Sequence, residues 1–284
     1  DTDGGVDILT GSNGGPNTAY IGYTTTSGPK SPPGDNPTWF AETPLGSPTS
    51  NDATQDVEMV DVDGDGFPDV VIANADAPDL VILSGGAPLT AGDLAVPGDV
   101  LGADELSTRD IEVEDVNGDG VADFIIATSD GANKVIYGDK DRVGYSSVAT
   151  ELASAKAVGV ADGQVDESSQ TVDVYDVDGD GDMDTVFGNT DQTASTYFNE
   201  GGELILGQRG NSDAIGVKHD PEPPATTAVG TLKLGPMEMP IMTTGGVLYR
   251  YDEAKGWMPI QTPIPGAVTS DTTSVTFADL DGDG

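Results

Sequence analysis

Three segments of the chain align without a gap: VDVDGDGFPDVVIAN from Val60, EDVNGDGVADFIIAT from Glu114 and YDVDGDGDMDTVFGN from Tyr175. Their common pattern is D-x-[DN]-G-D-G-x-x-D, followed at once by a short apolar run. A lone Asp-Gly pair is an ordinary turn. Three nine-residue copies that agree at six fixed positions are more than that. Carboxylates at alternate positions, with glycine between them, let a backbone curl tightly and bring several acids to one point. A unit of this size that recurs along a chain is one supersecondary element that buries its apolar face against its neighbours.

Both ends carry broken copies. ADLDGDG places Asp279, Asp281 and Asp283 at loop positions 1, 3 and 5, and DTDGGVDILTGSN places Asp1, Asp3 and Asp7 at positions 3, 5 and 9. The loops then start at 0, 61, 115, 176 and 279, with steps of 61, 54, 61 and 103. The last step is two periods, so a copy is expected inside it. VGTLKLGPMEMPIMTTGGVLYRY fits the strand pattern, but Gly235, Met237 and Met239 stand where carboxylates would be, which makes it a degenerate repeat without metal. The repeats are expected at 1–52, 53–107, 108–168 and 169–227, with the degenerate one at 228–271 and the start of another at 272–284, all within a single region spanning 1–284.

Each repeat has the same order. An alternating strand leads into the loop, marked by Val57 and Met59, Ile111 and Val113, or Val172 and Val174. This period-2 pattern predicts a half-buried strand. An apolar strand such as 70–73 follows the loop, then a polar turn and a third strand in DLVILSGG, NKVIYGD or STYFNEGG. Short strands at regular spacing with Gly-rich turns predict an all-β repeat fold, and three or four strands per period of this length suit a propeller blade. The variable stretches are of other kinds. Thr24–Ser50 is a Ser/Thr/Pro-rich surface loop open to O-glycosylation, Ser146–Val158 is a short helix or an Ala-rich connector, and Lys218–Thr227 is a stiff Pro-rich link.

The loop pattern is that of a calcium site. Calcium takes six to eight hard oxygens at about 2.3–2.6 Å. Positions 1, 3, 5 and 9 offer side chains and position 7 offers a carbonyl. These are Asp61, Asp63, Asp65, Phe67 (carbonyl) and Asp69 in the first loop, and Asp115, Asn117, Asp119, Val121 (carbonyl) and Asp123 in the second. In the third they are Asp176, Asp178, Asp180, Asp182 (carbonyl) and Asp184. Asn117 lowers the charge of the second site, which is expected to be the weakest. An EF-hand is excluded, since it needs an acid at position 12 and a helix on each side. Position 12 is Ile72, Ile126 or Phe187, within strand-like runs. Magnesium is disfavoured because it retains water and avoids all-protein cages.

Composition narrows the function. Fifty acidic residues oppose eleven basic ones for a net charge of −39, and 38 of the fifty are Asp. A field this negative repels nucleic acid and anionic membrane surfaces. Even five bound divalent ions would leave about −29, which favours a salty or calcium-rich exterior. There is no cysteine, and the single histidine, His219, sits in the loop-like VKHDPEPP, so disulfides, thiolate chemistry and Cys/His zinc sites are excluded. No run of about 18 apolar residues is present to span a bilayer.

These loops resemble the FG-GAP/VCBS repeats, the calcium-loop blades of integrin-α-type β-propellers. The resemblance rests on DVDGDGFPDVVIAN, DVNGDGVADFIIAT and DVDGDGDMDTVFGN, with the broken ends. It implies structural calcium sites between blade strands, on one face of a propeller. It also implies a secreted or cell-surface adhesion, lectin or assembly module, some members being parts of polysaccharide lyases. Such propellers usually close with seven blades. About five periods here, broken inside a loop at each end, imply a partial propeller within a larger chain or assembly.

The leading expectation is an extracellular, calcium-stabilised module for adhesion, protein interaction or structural assembly, with other extracellular proteins or glycans as partners and no catalytic residue. The chain has neither an RGD sequence nor an N-x-[ST] sequon. A lectin-like propeller is the alternative, with Trp39, Phe40 and Trp257 stacking on sugars, against the simpler role of Trp39 and Phe40 in pinning the long insert. A polysaccharide-active enzyme would need two carboxylates. Among fifty acids, proximity of some pair is uninformative, and none stands apart as a base.

Overall fold

Alternating β-branched residues before each loop and continuous apolar runs after it produce a nearly all-β chain. The structure, a computed structural model, describes residues 7–22, 40–46, 52–101, 107–130, 133–138, 156–157, 169–189, 195–206, 226–234, 237–244, 247–252 and 256–259. The chain divides into two compact units, Asp1–Thr108 with Asp139–Ala155, and Arg109–Gly138 with Lys156–Gly284.

The first unit holds two antiparallel meanders. One is β1 (Ile8–Thr10), β2 (Asn17–Gly22) and β3 (Phe40–Leu45). The other is β4 (Thr54–Val60), β5 (Asp69–Asn74), β6 (Asp79–Ile82) and β7 (Asp99–Leu101). Between β6 and β7 lies one helical turn, α1 (Ala91–Leu94), closed by a capping box in which Thr90 and Asp93 satisfy each other's backbone amides. Its Leu94 joins Ala19, Leu45, Val70, Ile72 and Ile82 in the core of this unit.

Three four-stranded antiparallel sheets make the second unit, β8 beginning at the last residue of the first. They are β8 (Thr108–Glu114), β9 (Asp123–Thr128), β10 (Lys134–Ile136) and β11 (Lys156–Ala157); β12 (Ser169–Tyr175), β13 (Asp184–Asn189), β14 (Ser195–Asn199) and β15 (Leu204–Leu206); and β16 (Thr226–Leu234), β17 (Met237–Thr244), β18 (Val247–Asp252) and β19 (Gly256–Pro259). The core gathers Val116, Ile125, Ala127, Val135, Val172, Phe187, Tyr197 and Leu204, with the Phe187 and Tyr197 rings edge to face at 5.5 Å.

The strand after each loop is the spine of its sheet. Every residue of β5, β9 and β13 is buried, as their apolar runs require. The strands before the loops differ. Ile111 and Val113 are 2% and 6% exposed, but Met59 is 49% exposed, so the alternation expected for β4 does not bury its methionine. In the expected degenerate repeat, only residues 235 and 236 separate β16 from β17, and Leu234 pairs with Met237. Met237 and Met239 therefore lie in a ladder, opposite Leu234 and Leu232, where the other repeats have an eight-residue loop. Of Ser146–Val158 the structure describes Lys156–Ala157, which is strand; residues 24–39, 47–50 and 218–225 of the other variable stretches lie outside the described residues. No helix among the described residues is long and apolar enough to cross a membrane.

A buried polar seam repeats with the sheets. In the first unit Asn17 Nδ2 donates to Thr54 Oγ1 (2.9 Å), Thr54 Oγ1 donates to Asn74 Oδ1 (2.8 Å), and Thr108 Oγ1 donates to Asp79 Oδ2 (2.8 Å). In the second, Asn133 Nδ2 donates to Ser169 Oγ (2.9 Å), which donates to Asn189 Oδ1 (2.7 Å). The hydroxyls Thr54, Thr108 and Ser169 each stand seven residues before a loop. Asn74 is 1% exposed and also donates to Pro78 O. Asn74→Ala leaves that carbonyl and the Thr54 hydroxyl without their partner, at a cost of about 2–3 kcal/mol. A urea melt should show the midpoint fall with an unchanged slope; a shift worth less than about 0.5 kcal/mol would show that water replaces the amide.

Candidate metal centres

The three loops share one backbone geometry. Glycines at positions 4 and 6 take left-handed φ: 72° and 89° at Gly64 and Gly66, 71° and 87° at Gly118 and Gly120, 82° and 98° at Gly179 and Gly181. Only glycine adopts that pair of bends without strain. The bends aim amides at the acids. Asp61 accepts from Asp65 N (3.1 Å) and Gly66 N (2.9 Å), Asp115 from Asp119 N (3.0 Å) and Gly120 N (2.7 Å), and Asp176 from Asp180 N (3.1 Å) and Gly181 N (3.0 Å). Positions 3 and 5 each accept from the amide two residues on: Asp63 from Asp65, Asp65 from Phe67, Asn117 from Asp119, Asp119 from Val121, Asp178 from Asp180, and Asp180 from Asp182.

Position 9 has a further role. Asp69, Asp123 and Asp184 are 0%, 0% and 1% exposed. One oxygen of each accepts the amide seven residues upstream, from Val62 (2.9 Å), Val116 (3.1 Å) and Val177 (2.8 Å). The other accepts the amide fifteen residues downstream, from Ser84 (2.7 Å), Gly138 (2.7 Å) and Asn199 (2.8 Å). Asp7 accepts from Gly22 N (2.8 Å) at the same offset of fifteen, which places it at position 9 of its own repeat. This carboxylate thus clamps the loop's start to the end of the third strand. Spacing alone marked it as a ligand and did not reveal the clamp.

Two sets of three carboxylates among the described residues lie close enough to hold one metal ion: Asp61, Asp63 and Asp65, and Asp176, Asp178 and Asp184, with oxygens within 4.8 Å of one another. Oxygens no farther apart than this can all reach one ion at about 2.4 Å, so both sets could hold a metal ion. The sets are not the same positions: 1, 3 and 5 in the first loop, 1, 3 and 9 in the third. In the second loop Asn117 Nδ2 donates to Asp123 Oδ1 (3.4 Å), so its amide partly satisfies the acid it faces. Asp1, Asp3, Asp279, Asp281, Asp283, Trp39 and His219 lie outside the described residues. Phe40 begins β3 and Trp257 lies in β19.

Burial dominates the electrostatics. It pushes Asp123 up to about 6, against the amides of Gly138 and Asn117, with the charges of Asp119 and Asp115 adding to the rise. Burial likewise pushes Asp184 up to about 6, against Asn199 and Val177, with Asp178 and Asp180 adding. Asp63 is raised by burial and by its acidic neighbours Asp69, Asp65 and Asp61. A carboxyl whose folded pKa exceeds its unfolded value binds more protons folded than unfolded between the two, so its contribution to stability grows as pH falls from about 6 toward 4. The metal-free chain should therefore melt higher at pH 5 than at pH 7. Any gain from added calcium should shrink over the same interval, because the ligands must be deprotonated. Melting curves in chelator and in calcium across that range check both statements; a metal-free midpoint that falls on acidification contradicts the first.

Residues 115–187 match the FG-GAP-like repeat family. They run from position 1 of the second loop through the third loop into β13. No curated protein matches the chain in sequence. Among solved structures, the Dos1 propeller is similar at a TM-score of 0.54 and 9% identity, over 98% of this chain and 60% of that one. The chain thus spans about three fifths of that propeller's length. A structure of BBS1N in complex with ARL6DN, soaked with mercury, has a TM-score of 0.47 at 12% identity over 81% and 60% of the two chains, and the V. cholerae biofilm matrix protein Bap1 has 0.38 at 11% over 89% and 38%. Residues 115–187 thus carry an FG-GAP-like repeat, and the chain has the blade architecture of a β-propeller.

Proposed function

We propose that this chain is an extracellular, calcium-stabilised propeller module that serves adhesion, protein interaction or structural assembly, without catalysis of its own. The observation that carries the reading is the recurrence of one carboxylate–amide geometry in three loops, two of which gather three carboxylate oxygens within 4.8 Å. Oxygen-only donors at this spacing suit calcium over softer metals. The acids are used to shape backbone, as a framework would use them. A net charge of −39 is best tolerated where divalent cations are plentiful. Its partners are other extracellular proteins or glycans, and the module acts as part of a larger chain or assembly.

A ligand that binds only the folded state adds about 2.7 kcal/mol per site at a hundredfold excess over Kd. Against a marginal stability of about 5–15 kcal/mol this is a large share. Removal of calcium by a chelator at matched ionic strength should lower the melting temperature by several degrees and expose the chain to protease. Asp65→Ala should weaken the first loop and leave those at Asp115 and Asp176 intact. The second loop, with Asn117, should fill last in a titration. Superimposable melting curves with and without calcium would sink the reading. A glycan array separates the two partner classes, since retention of a defined saccharide would assign the module to sugars.

A further inference from the structure

The residue fifteen positions after each loop's last Asp donates its amide to that Asp, yet its side chain differs from loop to loop. Ser84 turns its hydroxyl onto Asp65 of its own loop, at 3.1 and 3.3 Å from the two oxygens. Gly138 has no side chain, and a Cβ there would lie 2.5 Å from the Ala122 carbonyl oxygen. Asn199 is 3% exposed and uses its backbone N–H and both side-chain polar atoms. Its N–H binds Asp184 Oδ1 (2.8 Å), and its Oδ1 accepts from Gly202 N (2.7 Å). Its Nδ2 donates to Met183 O (3.1 Å), the residue before Asp184, and to Val116 O in the second loop. The Val116 amide is in turn held by Asp123 Oδ2 (3.1 Å).

Asn199 therefore touches position 9 of the third loop and position 2 of the second. The turn it opens lies on the second loop. A Cβ on Gly202 would lie 3.3 Å from Asn117 Cβ, Gly202 has φ +92°, and its carbonyl accepts from Tyr137 Oη (3.4 Å). The path Asp184–Asn199–Val116–Asp123 is continuous and made of hydrogen bonds between buried groups.

We propose that Asn199 is a positioning residue that couples the second and third loops, so that cation binding in either one strengthens binding in the other. The inference rests on the calcium reading above. When Asp184 and the Met183 carbonyl are fixed, Asn199 is fixed, and Asn199 then holds the Val116 peptide against which Asp123 is set. A loop already ordered through its neighbour has less freedom to lose on binding. The coupling must be reciprocal, and couplings of this kind amount to about fivefold or more in affinity.

The test is a calcium titration of the full 284-residue chain followed by the backbone amide resonances of Gly120 and Gly181, which report the second and third loops separately. Asp178→Ala, which removes a third-loop acid, should move the Gly120 midpoint to about fivefold higher calcium, and Asp119→Ala should move Gly181 in the same direction by less, because the second loop fills after the third. Asn199→Ala and the near-isosteric Asn199→Asp, which lack the two Nδ2 donors, should leave each loop able to bind while abolishing this mutual dependence. If the Asn199 variants do not fold, the two acid variants still decide the matter. A Gly120 midpoint that ignores Asp178→Ala overturns the coupling while the calcium reading stands. Coupling that survives in a folded Asn199 variant overturns the assignment to Asn199. If neither glycine responds to calcium in the unaltered chain, the calcium reading falls and the coupling with it.

Discussion

The interaction on which the repeats depend is a buried carboxylate gripping two backbone amides. An ionised carboxylate in a protein interior is costly unless its oxygens are hydrogen-bonded. Asp69, Asp123 and Asp184 meet that demand with one amide before the loop and one after the third strand. Bonds to a charged acceptor are roughly twice as strong as neutral ones, and each clamp spans 22 residues, from Val62 to Ser84 in the first case. The clamp fixes where the loop starts and where the third strand ends. The left-handed glycines then have one way to turn, and the acids at positions 1, 3 and 5 fall where they do.

A second polar frame, the hydroxyl–amide seam, ties the first residue of the strand before the first and third loops to the last residue of the spine strand. Clamp and seam are separated by the length of that strand: Asp69 begins β5 and Asn74 ends it, just as Asp184 begins β13 and Asn189 ends it. Between them the strand is wholly apolar or buried. Hydrophobic burial is non-directional and supplies the bulk of the driving force. The polar groups at the two ends supply register, because a one-residue slip would leave both a carboxylate and an amide unpaired in the interior.

Much of this was legible in the chain, and the remainder was illegible for physical reasons. The loops announced themselves because alternate acids with glycines at fixed positions have few other uses. The first two spine strands did so because the four apolar residues at 70–73 and 124–127 favour burial, and the third, with Val186 and Phe187, follows by alignment. The clamp was hidden because a ligand and a clamp are written with the same Asp. The seam was hidden because a Thr or Ser at a strand's first position looks like surface until its partner, twenty residues away at Asn74 or Asn189, is known. Met59 misled because alternation reports which residues share a face and not whether that face is covered. At 235–236 the alignment carried a loop register across a segment where β16 and β17 pair up to Leu234 and Met237, since strand pattern on either side says nothing of connection length. The single turn α1 escaped because its signal is only Thr90 and Asp93 around four residues.

The bend of the candidate metal loops is held by glycine conformation and carboxylate–amide bonds. What the chain does not supply there is opposite charge. Three carboxylates whose oxygens lie within 4.8 Å repel by about 1 kcal/mol per pair even in water and by more where water is partly excluded. Burial, with a smaller contribution from the neighbouring acids, has already moved Asp123 and Asp184 up to about 6, so both take up a proton more readily. A proton and a divalent cation therefore relieve one stress by different means. The proton neutralises one acid and gives up a ligand. The cation neutralises several and keeps them all as acceptors, since an ionised carboxylate has about four lone-pair sites and the position 9 clamps use two. For a chain of net charge −39 the second solution also lowers the field that every blade feels, and it keeps the strand clamps intact while doing so.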